Sequence, residues 1–205
     1  MHSKTNNSVP DNMEIAPGYT VRDWRRLQLD KPQHPDWTKA IEIFESRICH
    51  RFIAPVDVLI AHEIGHKRGT FGFAILAIDC LIMETLQGFR NGEIDHDKKS
   101  KKLICTFLTE SSQFRNFFKN QNEAVEIFKH YRCALLHSGK TDGDFRIQRH
   151  GPLLRRDGTH IDINRTAFHE AIKLEFRAYL EELADSSNTG TRKNFRKTMN
   201  AICSI

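Results

Sequence analysis

The chain has 205 residues, 39% apolar and 28% charged, with a formal net charge of +5; this suits one sizeable core and leaves no room for two full-sized domains. No run of 18 uninterrupted apolar residues occurs, and the opening Met1-His2-Ser3-Lys4 lacks the basic-then-apolar pattern of a secretory signal, so the expectation is a cytoplasmic protein with no membrane partner. Five cysteines, Cys49, Cys80, Cys105, Cys133 and Cys203, include no C-x-x-C pair and read as reduced residues, not as a disulfide or metal framework.

Residues 1–35 are polar and contain four prolines, which predicts an extended arm with Val21 and Trp24 as its docking residues. Asp36 then reads as an N-cap, and Trp37, Ile41, Phe44, Ile48 and Phe52 recur at helical steps. Pro55 closes that helix and opens a second one through Val56, Val58, Leu59 and Ile60. Gly65, Gly69 and Gly72 predict that the second helix ends near them in a flexible link. Residues 71–90 form the most apolar helix, apolar nearly all round and therefore central, with Gly92 as its stop. Asp79 and Glu84 lie on it, and a buried carboxylate needs a cation or several donors. Arg132 is a candidate partner.

A charged loop over residues 93–102 leads to two short helical pieces, 103–108 and 114–118. Asn120 and Glu123 resemble a capping box, and Ala124, Phe128, Tyr131 and Leu135 give the stripe of the helix that follows. Ser138-Gly139 ends it directly after His137. Short strand-like pieces follow at 145–147, 153–155 and 160–163, with Asp157-Gly158 as a hairpin turn. Asn164 caps the last long helix, whose core face is Phe168, Ile172, Phe176, Tyr179 and Leu183. Beyond a linker after Ala184, residues 191–202 suit a short basic helix with Phe195, Met199 and Ile202 on one side. From Ser186 onward the chain holds Arg192, Lys193, Arg196 and Lys197 and no acid.

The expected fold is mainly α: an antiparallel helical bundle with a small β-hairpin insertion before the last long helix. Its parts are an arm over 1–35, a helical domain over 36–184 and a basic tail over 185–205.

Two motifs carry chemistry. His62-Glu63-Ile64-Gly65-His66 matches H-E-x-x-H, which on a helix presents two imidazoles to one Zn²⁺ with the glutamate as general base. Gly72 stands where the extended pattern has its third histidine, and Gly65 and Gly69 weaken the helix. The second motif is Arg132 with His137, at the end of an amphipathic helix. Arg90 with His96 and Arg155 with His160 have similar spacing but fall in polar loop or hairpin sequence. Five residues apart on a regular helix, Arg132 and His137 diverge by about 140°, so His137 must lean from a loosened last turn to share a site.

The run Phe73-Ala74-Ile75-Leu76-Ala77-Ile78-Asp79-Cys80-Leu81-Ile82-Met83-Glu84-Thr85-Leu86, followed by Tyr131-Arg132-Cys133-Ala134-Leu135-Leu136-His137, resembles the HEPN superfamily of small helical proteins. Ile163-Asn164-Arg165 and Phe168-His169 at the start of the last helix fit the same pattern, and the resemblance covers roughly residues 37–184. It implies a bundle that dimerises, with Arg and His of two subunits facing one cleft, and commonly a metal-independent endoribonuclease. Arg132 and His137 are then catalytic, with Asp79, Glu84 and Tyr131 supporting them. Arg155, Arg156, Arg192 and Lys193 are candidate RNA-backbone contacts. No metal or cofactor is expected. RNA, a second copy of the chain and a neutralising protein partner are, the last because many relatives act in bacterial defence or toxin systems. One position departs from the family pattern: Cys133 follows the arginine where active members usually carry a polar residue. A non-catalytic dimerising module that binds a nucleotide or a protein partner is the alternative reading, and a zinc peptidase the third.

Overall fold

The apolar periodicities become helices where the pattern places them, and two segments expected at the periphery become part of the core. The computed structural model describes residues 9–67, 69–118, 120–129, 145–158 and 160–204. Strands β1 (Glu14–Ala16) and β2 (Tyr19–Thr20) form an antiparallel hairpin that leads into α1 (Val21–Arg25). The Asp23 carboxylate accepts from the Thr20 backbone N–H and hydroxyl, both at 2.7 Å, which starts that short helix.

Helix α2 (Asp36–Ile48) buries Trp37, Phe44 and Ile48 of the expected face. Pro35 occupies the cap, and Asp36 instead accepts from the Gln28 backbone N–H at 2.7 Å. Pro55 lies in the first turn of the second helix, as expected, but α2 stops at Ile48 and no break separates the two. A π-helical turn over Cys49–Ile53 carries α2 into α3 (Ala54–His62), and the Ala54 N–H bonds to the Cys49 carbonyl. A proline ring collides with the carbonyl four residues back, and widening the preceding turn relieves that contact while the helix continues.

Helix α4 (Gly72–Asn91) is the central element, packed against α3 and against α5 (Ser100–Glu110). Gly72 opens it. A Cβ there would meet Ile147 Cγ2 at 2.8 Å, so this glycine serves close approach to a strand. Gly92 ends it in the left-handed region (φ 65°), and the Glu93 N–H returns to the Gly88 carbonyl at 2.9 Å. By length and composition α4 is apolar enough to cross a membrane, yet most of it is buried inside the bundle.

The expected helical piece at 114–118 is a series of turns that buries Phe114 and Phe118. Its backbone is held from outside: Glu175 accepts from the Gln113 N–H and the Ser112 hydroxyl, both at 2.7 Å. Helix α6 (Gln121–Ile127) follows, capped by the Asn120 side chain as expected.

The strand pieces become β3 (Phe145–Gln148), β4 (Leu154–Asp157) and β5 (His160–Asn164). The expected hairpin is β4 antiparallel to β5. Strand β3 adds to its other side, parallel to β5, giving the order β3-β5-β4. Asp162 on the middle strand holds the three together, with Arg146 Nε at 2.8 Å from one neighbour and Arg155 Nη2 at 2.7 Å from the other.

Asn164 ends β5 and caps α7 (Arg165–Ala184), accepting from the backbone N–H groups of Thr166 and Ala167. Helix α8 (Thr189–Ile202) closes the bundle. Val21 and Trp24 dock as expected, Phe195 and Met199 share the buried side of α8, and Ile15 and Cys203 extend the core beyond the expected docking residues. The two segments cover each other. Trp24 packs edge-on against Phe195 at 5.8 Å, its Nε1–H donates to Asn200 Oδ1 at 2.9 Å, and Arg25 donates to the Cys203 carbonyl at 2.9 Å. Cys49, Cys105 and Cys203 are free thiols.

Phe44 is fully buried, with the rings of Phe89 at 4.6 Å, Phe195 at 5.3 Å, and Phe176 and Tyr179 both at 5.9 Å. Phe44→Ala is expected to lower stability by about 3–5 kcal/mol, measured as a shift in the urea unfolding midpoint. Phe44→Leu is expected to lose about 1–2 kcal/mol, because it keeps most of the buried volume.

Candidate functional site

Helix α7 carries Arg165, His169 and Lys173 at steps of four, which places three basic side chains on one face. Each meets an acid from α3, from the turn after α3, or from α4. Arg165 donates to the buried Glu63 carboxylate. His169 Nδ1 and Asp79 Oδ1 are 2.6 Å apart, and neither residue has any solvent exposure. His169 Nε2 lies 3.6 Å from Asp57 Oδ1, and Lys173 Nζ reaches the same oxygen at 3.0 Å. The seam runs from a fully buried pair to a half-exposed one.

The zinc-peptidase letters fall in this seam without the geometry the pattern requires. Helix α3 ends at His62, and Glu63 turns inward. Besides Arg165, Glu63 accepts from the backbone N–H groups of Thr70 and Phe71, the latter at 2.6 Å. Burial pushes this carboxyl's pKa up, but the two backbone donors and Arg165 outweigh it and hold the group below its ordinary value. A carboxylate engaged this way is not a free general base. His62 and His66 are exposed and stack ring on ring, with centroids 5.5 Å apart. Arg149 ties the turn down by donating to the carbonyls of Glu63 at 3.2 Å and His66 at 2.8 Å. These bonds replace the expected flexible link with a fixed crossing. Among the described residues no three His, Cys, Asp or Glu side chains are placed to share a metal ion.

Asp79 and Glu84 are both on α4 but are not brought together. Asp79 faces α7. Glu84 accepts from the Ser100 hydroxyl at 2.8 Å and lies 3.4 Å from His96 Nδ1, at the start of α5. His169 is the partner that sequence reasoning did not assign to Asp79. The available signal is the spacing of Arg165, His169 and Lys173, three basic residues in line on a helix whose neighbours carry acids.

Of the expected RNA contacts, three are engaged inside the protein. Arg155 makes a two-pronged contact with Asp162, at 3.2 and 2.7 Å. Arg156 pairs with Glu126 at 3.1 Å and lies 3.8 Å from Glu123. Arg192 is buried: it donates to the carbonyls of Leu183, Ala184 and Pro32 and stacks over the Trp37 ring at 4.5 Å. It links α8 to α7 and to the loop before α2, so its donors are engaged within the protein. Lys193, the next residue, is exposed. Tyr131, Arg132, Cys133 and His137 lie outside the described residues.

No known protein family, curated protein or solved structure matches the chain.

Burial pushes the Asp79 carboxyl up to about 6, against the opposing pull of His169. The unfolded chain releases this proton near the ordinary value of 3.8, so between these two pH values the native state binds it more tightly. Asp79's contribution to stability is full below the lower value and is lost as pH rises through the higher one. Asp79→Asn is thus expected to gain stability relative to the native sequence between pH 4 and pH 7, by at most about 3 kcal/mol. Parallel urea titrations across that range read the difference; identical slopes for the two proteins would contradict it.

Proposed function

We propose that this chain is a HEPN-like, metal-independent endoribonuclease in which Arg132 holds the scissile phosphate and His137 acts as general acid or base. One observation carries the reading: an apolar, acid-bearing central helix is followed in the sequence by Tyr131-Arg132 and His137 at the end of an amphipathic run, and then by the Asn164-Arg165 and Phe168-His169 helix opening. The fold supports it in two ways. The acid-bearing helix is α4, at the centre of a mainly helical bundle. Ile127 and Phe128, at the end of α6, meet Leu76, Cys80 and Met83 of α4 around a small apolar void, so α6 ends beside the helix that bears Asp79.

The chemistry needs no metal because the nucleophile is the ribose 2′-hydroxyl. His137 takes its proton as the 2′-oxygen attacks phosphorus, and the bond to the 5′-oxygen breaks. A second imidazole, supplied in a dimer by the other copy, gives the leaving oxygen its proton. Arg132 offers paired donors to the charge that builds on the phosphorane. Asp79 is bonded to His169, so the acid first considered as a partner for Arg132 has a partner of its own.

Cys133 favours a second reading, a non-catalytic dimerising module that binds a nucleotide or a protein partner. A thiol is a poor donor for orienting phosphate. The two readings separate in an RNA cleavage assay in EDTA. Cleavage is expected from the native sequence, with a fall of about a hundredfold or more in His137→Ala and in Arg132→Ala. Equal rates in all three proteins, or no cleavage by any, would remove the catalytic reading.

A further inference from the structure

The loop after α1, the loop after α4 and one face of α8 enclose a groove of about 560 Å³, within the roughly 300–1,000 Å³ of small-molecule sites. Leu29, Pro32, Trp37 and Ile94 make its apolar floor and wall. Ile94 is 58% exposed at the mouth, a large aliphatic side chain left in water. Along the rim α8 presents Lys193, Arg196 and Lys197, with Arg192 behind them. Asp30 is the one acid in this lining, and Arg196 pairs with it at 2.7 Å.

The four cations divide by what they already hold. Arg192 is bound to three carbonyls and lies flat on Trp37, so it contributes fixed positive charge to the wall. Arg196 reaches across the groove to Asp30 and the Leu29 carbonyl. Lys193 and Lys197 are exposed and make no hydrogen bond or close ion pair among the described residues, although Lys197 is near enough to Glu93 to help hold that carboxyl below its ordinary value. Four residues apart, they stand one above the other on the same helical face, with Cβ atoms about 5–6 Å apart, so both flexible ammonium groups can reach one polyanionic group.

An apolar slot beside two unpaired ammonium groups calls for a ligand in two parts: one flat and weakly polar, the other carrying more than one negative charge. We propose that this groove binds a nucleotide, with the base against Ile94, Leu29 and Pro32 and the phosphates on Lys193 and Lys197. The source is either a free nucleoside polyphosphate or the 5′-phosphorylated end of an RNA strand. The proposal rests on the groove alone and stands whether or not Arg132 and His137 cleave RNA.

Calorimetric titration of the full chain tests it with three probes: ATP, inorganic pyrophosphate and a 5′-phosphorylated pentauridylate, the last with the His137→Ala protein so that turnover does not remove the probe. ATP is expected to bind at least about tenfold more tightly than pyrophosphate, and the Lys193→Ala/Lys197→Ala double variant to lose at least about tenfold for ATP. Ile94→Ser, a change at an exposed position, is expected to weaken ATP and spare pyrophosphate. Tighter binding of the pentanucleotide than of ATP assigns the groove to a strand end, and the reverse order assigns it to a free nucleotide. Equal affinity for ATP and pyrophosphate, ATP binding indifferent to both lysines, or no binding of any probe overturns the proposal.

Discussion

Phe44 touches rings carried by three other helices, and the arrangement of the bundle depends on that contact. Phe89 of α4, Phe176 and Tyr179 of α7, and Phe195 of α8 all lie within 6 Å of it, centroid to centroid. Four helices can meet at one side chain only if their axes stand at ordinary packing distance around it, so this point sets how deeply each is seated. Once α8 is pinned by Phe195, the N-terminal segment has a place to go, because Trp24 completes its own edge-on contact with that ring. The hairpin of β1 and β2, α1 and the loop to α2 are thus folded onto the bundle by the opposite end of the chain.

A polar seam supplies what the aromatic cluster cannot. Apolar packing tolerates a helix sliding by one turn more readily than matched charges do. Arg165, His169 and Lys173 occupy successive turns of α7, and each is matched to a different acid: Glu63, Asp79 and Asp57. A shift of one turn one way would leave Glu63 buried without Arg165, which is a severe penalty, and a shift the other way would set His169 against Glu63 in place of Arg165. Buried ion pairs are weak sources of net stability, but here they fix the register of α7 against α3 and α4. The aromatic contacts fix depth and the seam fixes height.

The elements defined by their own periodicity were legible in the sequence. The faces of α2 and α7, the caps at Asn120 and Asn164, the Gly92 stop and the β4–β5 hairpin all follow from local chemistry. What failed was whatever required a distant partner. Trp24 and Phe195 are 171 positions apart, and each sits in a segment too polar to suggest a core by itself. Strand β3 pairs in parallel with β5 across an intervening strand, which no turn signal announces. Pro55 marks the first turn of α3 as its missing N–H allows, but the π-helical turn that joins α3 to α2 has no local signal. The acids on α4 were correctly singled out as needing partners, but His169, 90 residues from Asp79, could be found only by noticing the stripe it belongs to.

The same distinction governs the candidate sites. A basic residue in a sequence is counted as available, and only the fold tells which charges are already used. Arg155, Arg156 and Arg192 look like phosphate contacts by composition, yet they hold Asp162, Glu126 and three backbone carbonyls, two at the end of α7 and one in the loop before α2. Their charge is neutralised or fixed, so their contribution to an anion's field is smaller than their number implies. Lys193 and Lys197 lack such partners among the described residues and stand beside apolar surface that the core does not fill. Of the four basic residues expected to meet RNA, Lys193 is the one left exposed with no paired acid among the described residues. The basic character first read as a property of a tail becomes a property of a helix face, fixed in position by the contact between Phe195 and Phe44.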